Sequence, residues 1–291
     1  MSKRIRKAVF PAGGLGTRFL PATKVIPKEM LALVDKPVIQ YGVEEAIASG
    51  IEHIIIITGR GKGTIEDHFD HSFELDATLE LRGKRELLAV SRGVSSLAQI
   101  SYVRQKEPLG LGHAVMCAKD VVGDKPFAVI LPDDVIESET PCLKQLIDIF
   151  DEKGGSVLAT ETVEGPAISH YGVLAGSEDP DNWRILNCTG MVEKPKFADA
   201  PSKQAIVGRY VLTPQIFELL EQTRPGAGGE IQLTDGIKAL AREEKVFGYT
   251  FEGRRFDAGD KLGMLQATVE FALKREDLGP RFRAYLKGLA L

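Results

Sequence analysis

The sequence has few cysteines, and their spacing argues against two kinds of site. The three cysteines, Cys117, Cys142 and Cys188, are odd in number and lie far apart. That spacing indicates neither a disulfide framework nor a zinc site. Reduced thiols of this kind are typical of a cytoplasmic protein.

Long hydrophobic runs are also lacking. The longest, at residues 54–57 and 127–131, are far shorter than the roughly 20 apolar residues that a membrane-spanning helix needs. The apolar run after the basic N-terminus stops at Pro11 and Gly13, which is too short for the core of a signal peptide. We therefore expect no membrane partner.

The chain has no excess of positive charge. Lys and Arg number 37 and Asp and Glu number 41, which gives a net charge of −4. A mildly acidic chain argues against nucleic acid as the main partner, because phosphate backbones reward a basic face. Local basic residues could still bind a small phosphorylated ligand.

The hydrophobic pattern predicts an α/β fold. Over the first 150 residues, predicted strands at 5–10, 51–58, 100–104 and 127–131 alternate with helices at 37–49, 111–119 and around 143–150. The unbroken apolar centre of the second strand is typical of a parallel sheet that is covered on both faces. The pattern therefore predicts a three-layer α/β/α sandwich with a mixed, mainly parallel central sheet.

The pattern changes after about residue 151. Strands are predicted at 156–162, 171–175, 184–193 and 205–212, with few helices between them. We expect a more antiparallel, strand-rich half that lies over one end of the sheet. Helices are predicted at 214–222, 231–242 and 261–274, the last with Leu262, Leu265, Val269 and Leu273 on one face, and the tail at 281–291 is amphipathic.

A glycine-rich loop follows the first predicted strand and carries the strongest functional signal. Residues 12–18 read AGGLGTR. Consecutive glycines let backbone N–H groups approach an anion, and the first βα turn of an open sheet is where such ligands bind. The dinucleotide motif GxGxxG is excluded by Phe19, and the Walker A sequence is absent. A simple turn remains the alternative.

Two cations flank this loop. Arg18 lies within it, and Lys28 follows ten residues later. Arg can bind two phosphate oxygens at once and Lys is a compact point charge, so the two suit a polyanion such as a triphosphate. The alternative is solvated surface charge. Prolines at positions 11, 21 and 27 predict that the segment is not helical throughout.

Three further features stay open on the residues alone. Asp133 and Asp134 follow an apolar strand and could ligate a hard cation such as Mg²⁺, or form an ordinary turn. The glycine-rich loop at residues 59–63 could be a second phosphate loop or a flexible lead into a helix. His68 and His71 have helical spacing, but without a third ligand we expect them to be surface residues.

Several short motifs occur in a fixed order along the chain. They are GGLGTR at 13–18 with Pro21 and Lys28, QKEPLGLGHA at 105–114, LPDD at 131–134, HYGV at 170–173, VEKP at 192–195, GEIQLTD at 229–235 and RFDAG at 255–259. Each is short, but their order and spacing together are specific. The set resembles the sugar-1-phosphate nucleotidylyltransferase family, and within it the bacterial enzymes that join UTP to glucose 1-phosphate. The resemblance covers about residues 5–275.

The resemblance implies the Rossmann-like nucleotide-diphospho-sugar transferase fold. It implies a nucleotidyltransferase domain over residues 1–260, with a nucleotide-binding half of about 1–150 and a sugar-binding half of about 151–260, and a C-terminal helical segment over 261–291. It also implies transfer of a uridylyl group from UTP to α-D-glucose 1-phosphate, which gives UDP-glucose and pyrophosphate. Mg²⁺ would be the cofactor, and a homodimer or homotetramer the assembly.

The resemblance also implies a role for individual residues. The catalytic cations would be Arg18, Lys28 and Lys194, and the metal carboxylates would be Asp133 and Asp257. The nucleotide-binding residues would be Ala12, Gly13, Gly14, Gly16, Thr17, Glu29, Gln105 and Gly110. The sugar-phosphate-binding residues would be Gly172, Glu193, Lys194 and Gly208. Asp134 and Asp260 receive no firm role, although Asp260 suits the N-cap of a helix.

Other functions compete with this one. The substrates could be dTTP or another hexose 1-phosphate, since one methyl group in an apolar contact is worth only ~1–3 kcal/mol. A non-catalytic nucleotide-sugar sensor could share the fold, but it would be expected to lack the charged residues that are present here. A nicotinamide-dependent oxidoreductase is disfavoured by Phe19.

Overall fold

The computed structural model describes residues 4–289. The start of the basic N-terminus and the last two residues of the predicted 281–291 tail lie outside the described residues. The strands are Lys7–Pro11 (β1), Ala32–Leu33 (β2), Lys36–Pro37 (β3), His53–Thr58 (β4), Gln99–Arg104 (β5), Phe127–Ile130 (β6), Asp134–Glu137 (β7), Ser156–Thr162 (β8), Gly172–Glu178 (β9), Ile185–Glu193 (β10), Gln204–Leu212 (β11), Val246–Thr250 (β12) and Arg254–Asp257 (β13). The helices are Val38–Ala48 (α1), Gly63–Phe69 (α2), Phe73–Leu81 (α3), Arg85–Ser95 (α4), Leu111–Met116 (α5), Lys119–Val122 (α6), Cys142–Lys153 (α7), Gln215–Gln222 (α8), Leu233–Leu240 (α9), Lys261–Lys274 (α10) and Gly279–Lys287 (α11).

One mixed sheet of nine strands forms the centre of the molecule, in the order β5-β4-β1-β6-β11-β8-β12-β10-β9. The strands β5, β4, β1 and β6 run parallel, and β11 then pairs antiparallel with β6. Beyond that point β8 and β12 are parallel, whereas β10 and β9 are antiparallel to their neighbours. The expectation of a second half lying over one end of the sheet is therefore wrong, since its strands extend the same sheet.

Both faces of the sheet are buried, as the apolar run in β4 predicts. Ile54 and Ile56 pack into one hydrophobic core with Val43 of α1, while Ile55 and Ile57 point into a second core. Successive side chains of a strand point to opposite faces, so an unbroken apolar strand needs cover on both sides. The three-layer α/β/α architecture is confirmed.

Several element boundaries differ from the predictions. The single helix predicted at 111–119 is two short helices, α5 and α6. The strands β2, β3, β7, β12 and β13 were not predicted. Four of them have only two to four residues, too few for a period-2 pattern, and β12 has five residues with a glycine at its centre. The helix α2 ends at Phe69, so His71 lies beyond it, and the His68 Nε2 atom is 2.9 Å from Gln40 Oε1. The two histidines therefore do not share a helix.

The helix α10 has the predicted bounds but packs on a different face. The Asp260 carboxylate accepts hydrogen bonds from the backbone N–H groups of Leu262 at 2.9 Å and Gly263 at 3.2 Å, which confirms the N-cap. The side chain of Ala267 is buried against β13, whereas Leu262 and Leu265 are exposed. The predicted apolar face at this end of the helix is therefore turned to solvent.

No helix within residues 4–289 combines the length and the apolar character that crossing a membrane would require.

Candidate active site

The glycine-rich loop leaves β1 and forms the wall of a cleft. Short 3₁₀ turns at Thr17–Phe19, Ala22–Lys24 and Lys28–Met30 replace a helix here, as the prolines predict. The cleft has a volume of about 470 Å³. It is lined by Pro11, Gly13, Gly14, Leu15, Gly16, Thr17, Lys28, Gln105, Pro108, Gly110, Leu111, Ala114, Leu131, Asp133 and Glu230. We call it the glycine-loop cleft.

The floor of the glycine-loop cleft is closely fitted. A Cβ atom on Gly13 would lie 2.7 Å from Gln105 Oε1, so any other residue would force that amide to shift. The Gln105 Nε2 group donates to the Gly110 carbonyl at 3.2 Å and lies 2.9 Å from His113 Nδ1. Ala12 is fully buried, and its N–H donates to the Ile57 carbonyl at 2.8 Å. Gln105 and Gly110 thus meet the glycine loop, while Ala12 lies beneath it.

A second cleft of about 470 Å³ lies beside the first. It is lined by Arg18, Leu111, Leu131, Asp133, Asp134, His170, Tyr171, Gly172, Glu193, Ile206, Val207, Gly208, Tyr210, Gln232, Leu233, Thr234, Arg255, Asp257 and Asp260. We call it the Glu193 cleft. The side chain of Asp133 lines both clefts and so stands at their junction.

Asp133 forms an ion pair with Lys28 at this junction. The Lys28 Nζ atom lies 2.5 Å from Asp133 Oδ2, and each side chain is about a quarter exposed. Burial alone would lower the pKa of Lys28, but the negative charges of Asp133 and Glu29 outweigh it and raise that pKa. Burial likewise works against the ionised form of Asp133, and Lys28 outweighs it and lowers the pKa of the carboxyl. Both groups are therefore held in their charged forms.

Asp257 lies at the end of β13 and faces Asp133. A Cβ atom on Gly259 would lie 2.7 Å from Asp133 Oδ2 and 3.1 Å from Asp257 Oδ1, so the two carboxylates converge over that glycine. Burial and the neighbouring charge of Asp134 raise the pKa of Asp257. A divalent cation would relieve this repulsion, and carboxylate oxygens are the ligands that hard cations prefer.

This pair of carboxylates fits a cation that also takes substrate oxygens as ligands. Among residues 4–289 there is no cluster of three or more His, Cys, Asp or Glu side chains able to hold a metal. Mg²⁺ is usually bound by one or two carboxylates together with substrate phosphates, rather than by a cage of protein ligands. The donor set of Asp133 and Asp257 matches that habit.

Asp134 has a different surrounding from the other two aspartates. Its Oδ1 atom accepts from Arg255 Nε at 2.6 Å, and its Oδ2 atom accepts from the Gly208 N–H at 2.9 Å. A Cβ atom on Gly208 would collide with Asp134 Oδ2. Position 208 therefore requires glycine, because a side chain there would displace the Asp134 carboxylate. The Gly208 N–H already donates to that carboxylate.

Glu193 is held in the Glu193 cleft by a partner that sequence reasoning did not assign. The Thr234 hydroxyl, in the first turn of α9, donates to Glu193 Oε2 at 2.7 Å. A Cβ atom on Gly172 would lie 3.1 Å from Glu193 Oε2 and 3.3 Å from Thr234 Oγ1. Gly172, Glu193 and Thr234 therefore form one closely packed corner of the cleft.

Lys194 lies next to this corner, with a left-handed backbone. Its φ is 45°, and its N–H donates to the Tyr171 carbonyl at 3.0 Å. The Nζ atom lies 3.5 Å from Glu193 Oε1, and the side chain is 63% exposed. Lys194 is not among the described residues that line the two clefts. Strained backbone of this kind is concentrated at functional positions.

Glu29 is a fully buried carboxylate among the predicted site residues. Its Oε2 atom accepts from Lys62 Nζ at 2.7 Å. Its other oxygen, Oε1, has no hydrogen-bond partner among the described residues. Burial raises the pKa of Glu29 against the opposing effect of Lys62.

The loop at residues 59–63 supports the glycine loop from behind. A Cβ atom on Gly59 would lie 3.1 Å from the Gly13 carbonyl oxygen, so the two backbones are in close contact. The Lys62 ammonium is only 8% exposed and points to Glu29. The loop's one buried cation therefore neutralises a carboxylate instead of facing solvent.

Sequence reasoning missed three residues that organise the site. Arg255 and Thr234 stood inside the quoted motifs without a role, although a basic residue two before a candidate metal ligand was a usable signal. Arg209 gave no such signal. It is fully buried, pairs with Glu45 at 2.7 Å and donates to the Asp134 carbonyl at 2.8 Å, so it fixes the turn that carries Asp133.

A mixed α/β sheet, a glycine loop after β1 and two clefts that share one aspartate suit an enzyme that brings a nucleotide and a second substrate together. The sequence model of the nucleotidyl transferase family matches residues 7–274, and the chain belongs to this family. It is 51% identical over 289 residues to the UTP–glucose-1-phosphate uridylyltransferase of Bacillus subtilis (strain 168), covering 99% of this chain and 98% of that protein. It is also 51% identical over 288 residues to the protein of the same name from Staphylococcus epidermidis (strain ATCC 12228 / FDA PCI 1200), covering 99% of both.

Solved structures give the same relationship. The UTP-bound UGPase from Acinetobacter baumannii superposes with a TM-score of 0.91 at 42% identity, covering 98% of this chain and 100% of that one. A UDP-glucose pyrophosphorylase complexed with UDP-glucose gives a TM-score of 0.85 at 43% identity, covering 94% and 100%. The fold and the predicted family are confirmed.

Proposed function

We propose that this chain transfers a uridylyl group from UTP to α-D-glucose 1-phosphate, giving UDP-glucose and pyrophosphate. The observation that carries the proposal is the position of Asp133, which lines both clefts at their junction. Full-length relatives named as UTP–glucose-1-phosphate uridylyltransferases support the same reaction. The glycine-loop cleft would take the nucleotide, and the Glu193 cleft the sugar phosphate.

The chemistry needs positioning and charge neutralisation more than proton transfer. The second pKa of a phosphate monoester is ~6, so glucose 1-phosphate is already an anion near neutral pH and needs no general base. Its phosphate oxygen attacks the α-phosphorus of UTP in line, pyrophosphate leaves, and no covalent enzyme intermediate forms. The main difficulty is the repulsion between two polyanions, which preorganised cations reduce.

Three basic side chains would share that task. In this proposal Arg18 and Lys28 hold the β and γ phosphates, and Lys194 holds the phosphate of glucose 1-phosphate. Lys28 is already turned to the junction of the clefts, and the Arg18 NH1 group lies 3.5 Å from the Gly259 carbonyl beside Asp257. Lys194 is exposed and would have to turn toward the incoming sugar phosphate.

Mg²⁺ is the cofactor that this donor set suits. Asp133 and Asp257 would hold it, because their carboxylates converge over Gly259. When bound, it would neutralise charge on the phosphates at the reacting centre. Lys28 would have to release Asp133 for this, since the two form an ion pair.

Recognition of the base and the sugar would fall to the two clefts separately. The Gln105 amide oxygen can accept from the uracil N3–H, and its Nε2 group would have to release Gly110 or His113 to donate as well. The backbone of Gly110 lies beside it, and Gly13, Gly14, Gly16 and Thr17 would surround the phosphates. Glu193 would accept hydrogen bonds from sugar hydroxyls, with Gly172 allowing close approach. Glu29 would act indirectly, since it is buried and paired with Lys62. Gly208 would act through the close approach that its Cα allows, since its N–H is engaged.

The reaction is tested by pyrophosphate release from a panel of nucleoside triphosphates and sugar 1-phosphates. We expect UTP with glucose 1-phosphate to give the highest kcat/KM. Preference for dTTP, or for another hexose 1-phosphate, would correct the substrate and keep the class. Binding of UDP-glucose without any turnover would favour a nucleotide-sugar sensor.

Two broader properties belong to the same proposal. Apolar side chains are exposed on α4 and α10, among them Leu87, Val90, Leu262 and Leu265, which supports a homodimer or homotetramer. Cys117, Cys142 and Cys188 are free thiols, which supports a cytoplasmic location.

A further inference from the structure

Arg255 is a buried cation at the back of the Glu193 cleft that the proposed mechanism does not use. Its side chain is 9% exposed. It donates to Asp134 Oδ1 at 2.6 Å and to the Tyr171 hydroxyl at 3.2 Å, and it lies 3.4 Å from Glu161 Oε2. Its NH2 group also lies 3.6 Å from Asp257 Oδ2. One guanidinium therefore touches both a scaffold carboxylate and a proposed metal ligand.

The contacts of Arg255 divide the aspartates of the site into two kinds. Both oxygens of Asp134 are engaged, one by Arg255 and the other by the Gly208 N–H. Asp257 has no hydrogen bond to Arg255: its Oδ2 atom lies 3.6 Å from the NH2 group, and its Oδ1 atom accepts from the Gly259 N–H at 2.9 Å beside Asp133. Asp134 thus holds β11 and β13 together through Gly208 and Arg255, while Asp257 faces Asp133.

We propose that Arg255 is a positioning residue that reserves Asp134 for the scaffold and aims Asp257 at Asp133, so that the carboxylates of Asp133 and Asp257 form the divalent-cation site. The proposal rests on the proposed function, because Asp133 and Asp257 are the metal ligands assumed there. It goes further in assigning the selection between neighbouring aspartates to one arginine.

The geometry of the guanidinium explains why arginine occupies this position. A planar fork with five N–H donors can hold Asp134, Asp257 and Tyr171 at once, whereas an ammonium on a flexible stem is a single point charge. Without the cation, Asp134 and Asp257 would repel each other in a partly buried cleft. Asp257 would then turn away from its place beside Asp133, and cation binding would weaken.

The strand itself supplies a matched control. Arg254 precedes Arg255 on β13, and successive side chains of a strand point to opposite faces. Arg254 forms a surface ion pair with Glu270 at 2.7 Å and stacks over the Phe256 ring at 4.7 Å. Arg254→Met therefore removes an equal charge from the same strand without touching either aspartate.

The test is direct Mn²⁺ binding, followed by electron paramagnetic resonance in the absence of any substrate. We expect Arg255→Met to weaken Mn²⁺ binding about tenfold or more and Arg255→Lys to restore less than half of that loss, because lysine returns the charge but not the fork. Arg254→Met should bind Mn²⁺ like the wild type. Thermal unfolding of every variant, measured in parallel, separates misfolding from mispositioning.

A second variant keeps the test decisive if Arg255→Met does not fold. Arg255→Met combined with Asp134→Asn removes the buried charge together with its main partner. The repulsion between residues 134 and 257 is then relieved, but Asp257 still lacks the guanidinium that aims it, so we expect this double variant to fold and to recover only part of the wild-type Mn²⁺ affinity. Wild-type Mn²⁺ affinity in the folded double variant, or in Arg255→Met itself, would overturn the proposal. So would full rescue by Arg255→Lys.

The proposed function is checked separately with Asp257→Asn and with wild-type turnover. If the wild-type protein releases pyrophosphate and the Asp257→Asn variant loses Mn²⁺ binding, the proposed reaction and the assignment of Asp257 as a metal ligand are supported. That conclusion does not depend on the behaviour of the Arg255 variants. If only the Arg255 variants then behave like the wild type, the positioning role alone is wrong. If Asp257→Asn binds Mn²⁺ normally, the metal assignment of the proposed function is wrong.

Discussion

The two clefts of this protein are built by different means. The glycine-loop cleft lies at the carboxyl ends of the parallel strands β1 and β4, and backbone makes up much of its wall, at Gly13, Gly14, Gly16 and Gly110. The Glu193 cleft is lined mostly by residues from the second half of the chain, and many of them have charged or hydroxyl side chains. Among the described residues the two share Leu111, Leu131 and Asp133.

This difference matches what each cleft would have to recognise. A triphosphate is a flexible polyanion, and backbone N–H groups next to glycines can approach it closely. A hexose differs from its isomers only in the direction of its hydroxyl groups, so it must be read by fixed side chains. We therefore expect substitutions in the glycine-loop cleft to weaken substrate binding by steric hindrance. Substitutions in the Glu193 cleft should weaken it through lost hydrogen bonds.

The largest effect should come from the residue that the clefts share. Asp133→Asn removes a proposed metal carboxylate and should lower kcat about 10³-fold, comparable to losing a principal transition-state contact. Steady-state pyrophosphate release at saturating Mg²⁺ measures it. Asp148→Asn, at an exposed position of α7, is the control. Activity within threefold of wild type would show that Asp133 only shapes a turn.

The next effect should single out the nucleotide. A Cβ atom in Gly13→Ala would push Gln105 aside, and overpacking of this kind costs about 1–3 kcal/mol, so KM for UTP should rise about 10- to 100-fold. KM for glucose 1-phosphate should stay within twofold. Gly93→Ala, where the added methyl group meets open space in α4, is the control. Equal changes in both KM values would contradict the division between the clefts.

A smaller effect should single out the sugar. Thr234→Val keeps the shape of the side chain but removes the hydroxyl that donates to Glu193, and hydrogen bonds to charged groups are worth about 1.5–3 kcal/mol. We expect KM for glucose 1-phosphate to rise about tenfold, with KM for UTP unchanged. Thr268→Val, whose hydroxyl bonds to the Met264 carbonyl on α10, serves as the control. An unchanged KM would mean that Glu193 needs no such support.

The smallest effect concerns the cation at the junction. Lys28 forms an ion pair with Asp133 and would compete there with a divalent cation. Lys28→Met should therefore strengthen Mn²⁺ binding in the absence of nucleotide. An ion pair worth up to about 1 kcal/mol corresponds to about a fivefold change. Binding of UTP by the same variant should weaken, because a phosphate contact is lost. Lys24→Met, at an exposed position of the same loop, is the control. Weaker Mn²⁺ binding in Lys28→Met would show that the pair does not compete with the cation.

Most of the parallel half of the sheet was predictable, whereas the short elements around the site were not. The run His53–Thr58 predicts a buried strand because its isoleucines point alternately to the two faces of the sheet, and both faces must then be covered. The strands Asp134–Glu137 and Arg254–Asp257 carry only four residues each and pair with one another outside the main sheet. Their pairing aligns Asp257 with Asp134, and that register is a long-range contact without a local pattern.

The same limit separates residue types from residue partners. Arg18, Lys28 and Asp133 were candidates because their chemistry suits phosphates and a cation, whereas Asp257 was a candidate only through the family resemblance. That Lys62 neutralises Glu29, or that Arg255 holds Asp134, depends on contacts between residues far apart in the chain. A basic residue in a loop has many possible partners, and only the packed fold selects one.

The amino-acid order alone determined the layered α/β architecture, the glycine-rich first loop and the family, because hydrophobic period, glycine clusters and motif spacing are local properties of the chain. Tertiary structure decided that the second half extends the same sheet, that α10 turns Leu262 and Leu265 to solvent, and which aspartate faces which cation. Those outcomes depend on burial and charge pairing across more than 100 residues of sequence, where Coulomb attraction and desolvation are set by distance in space.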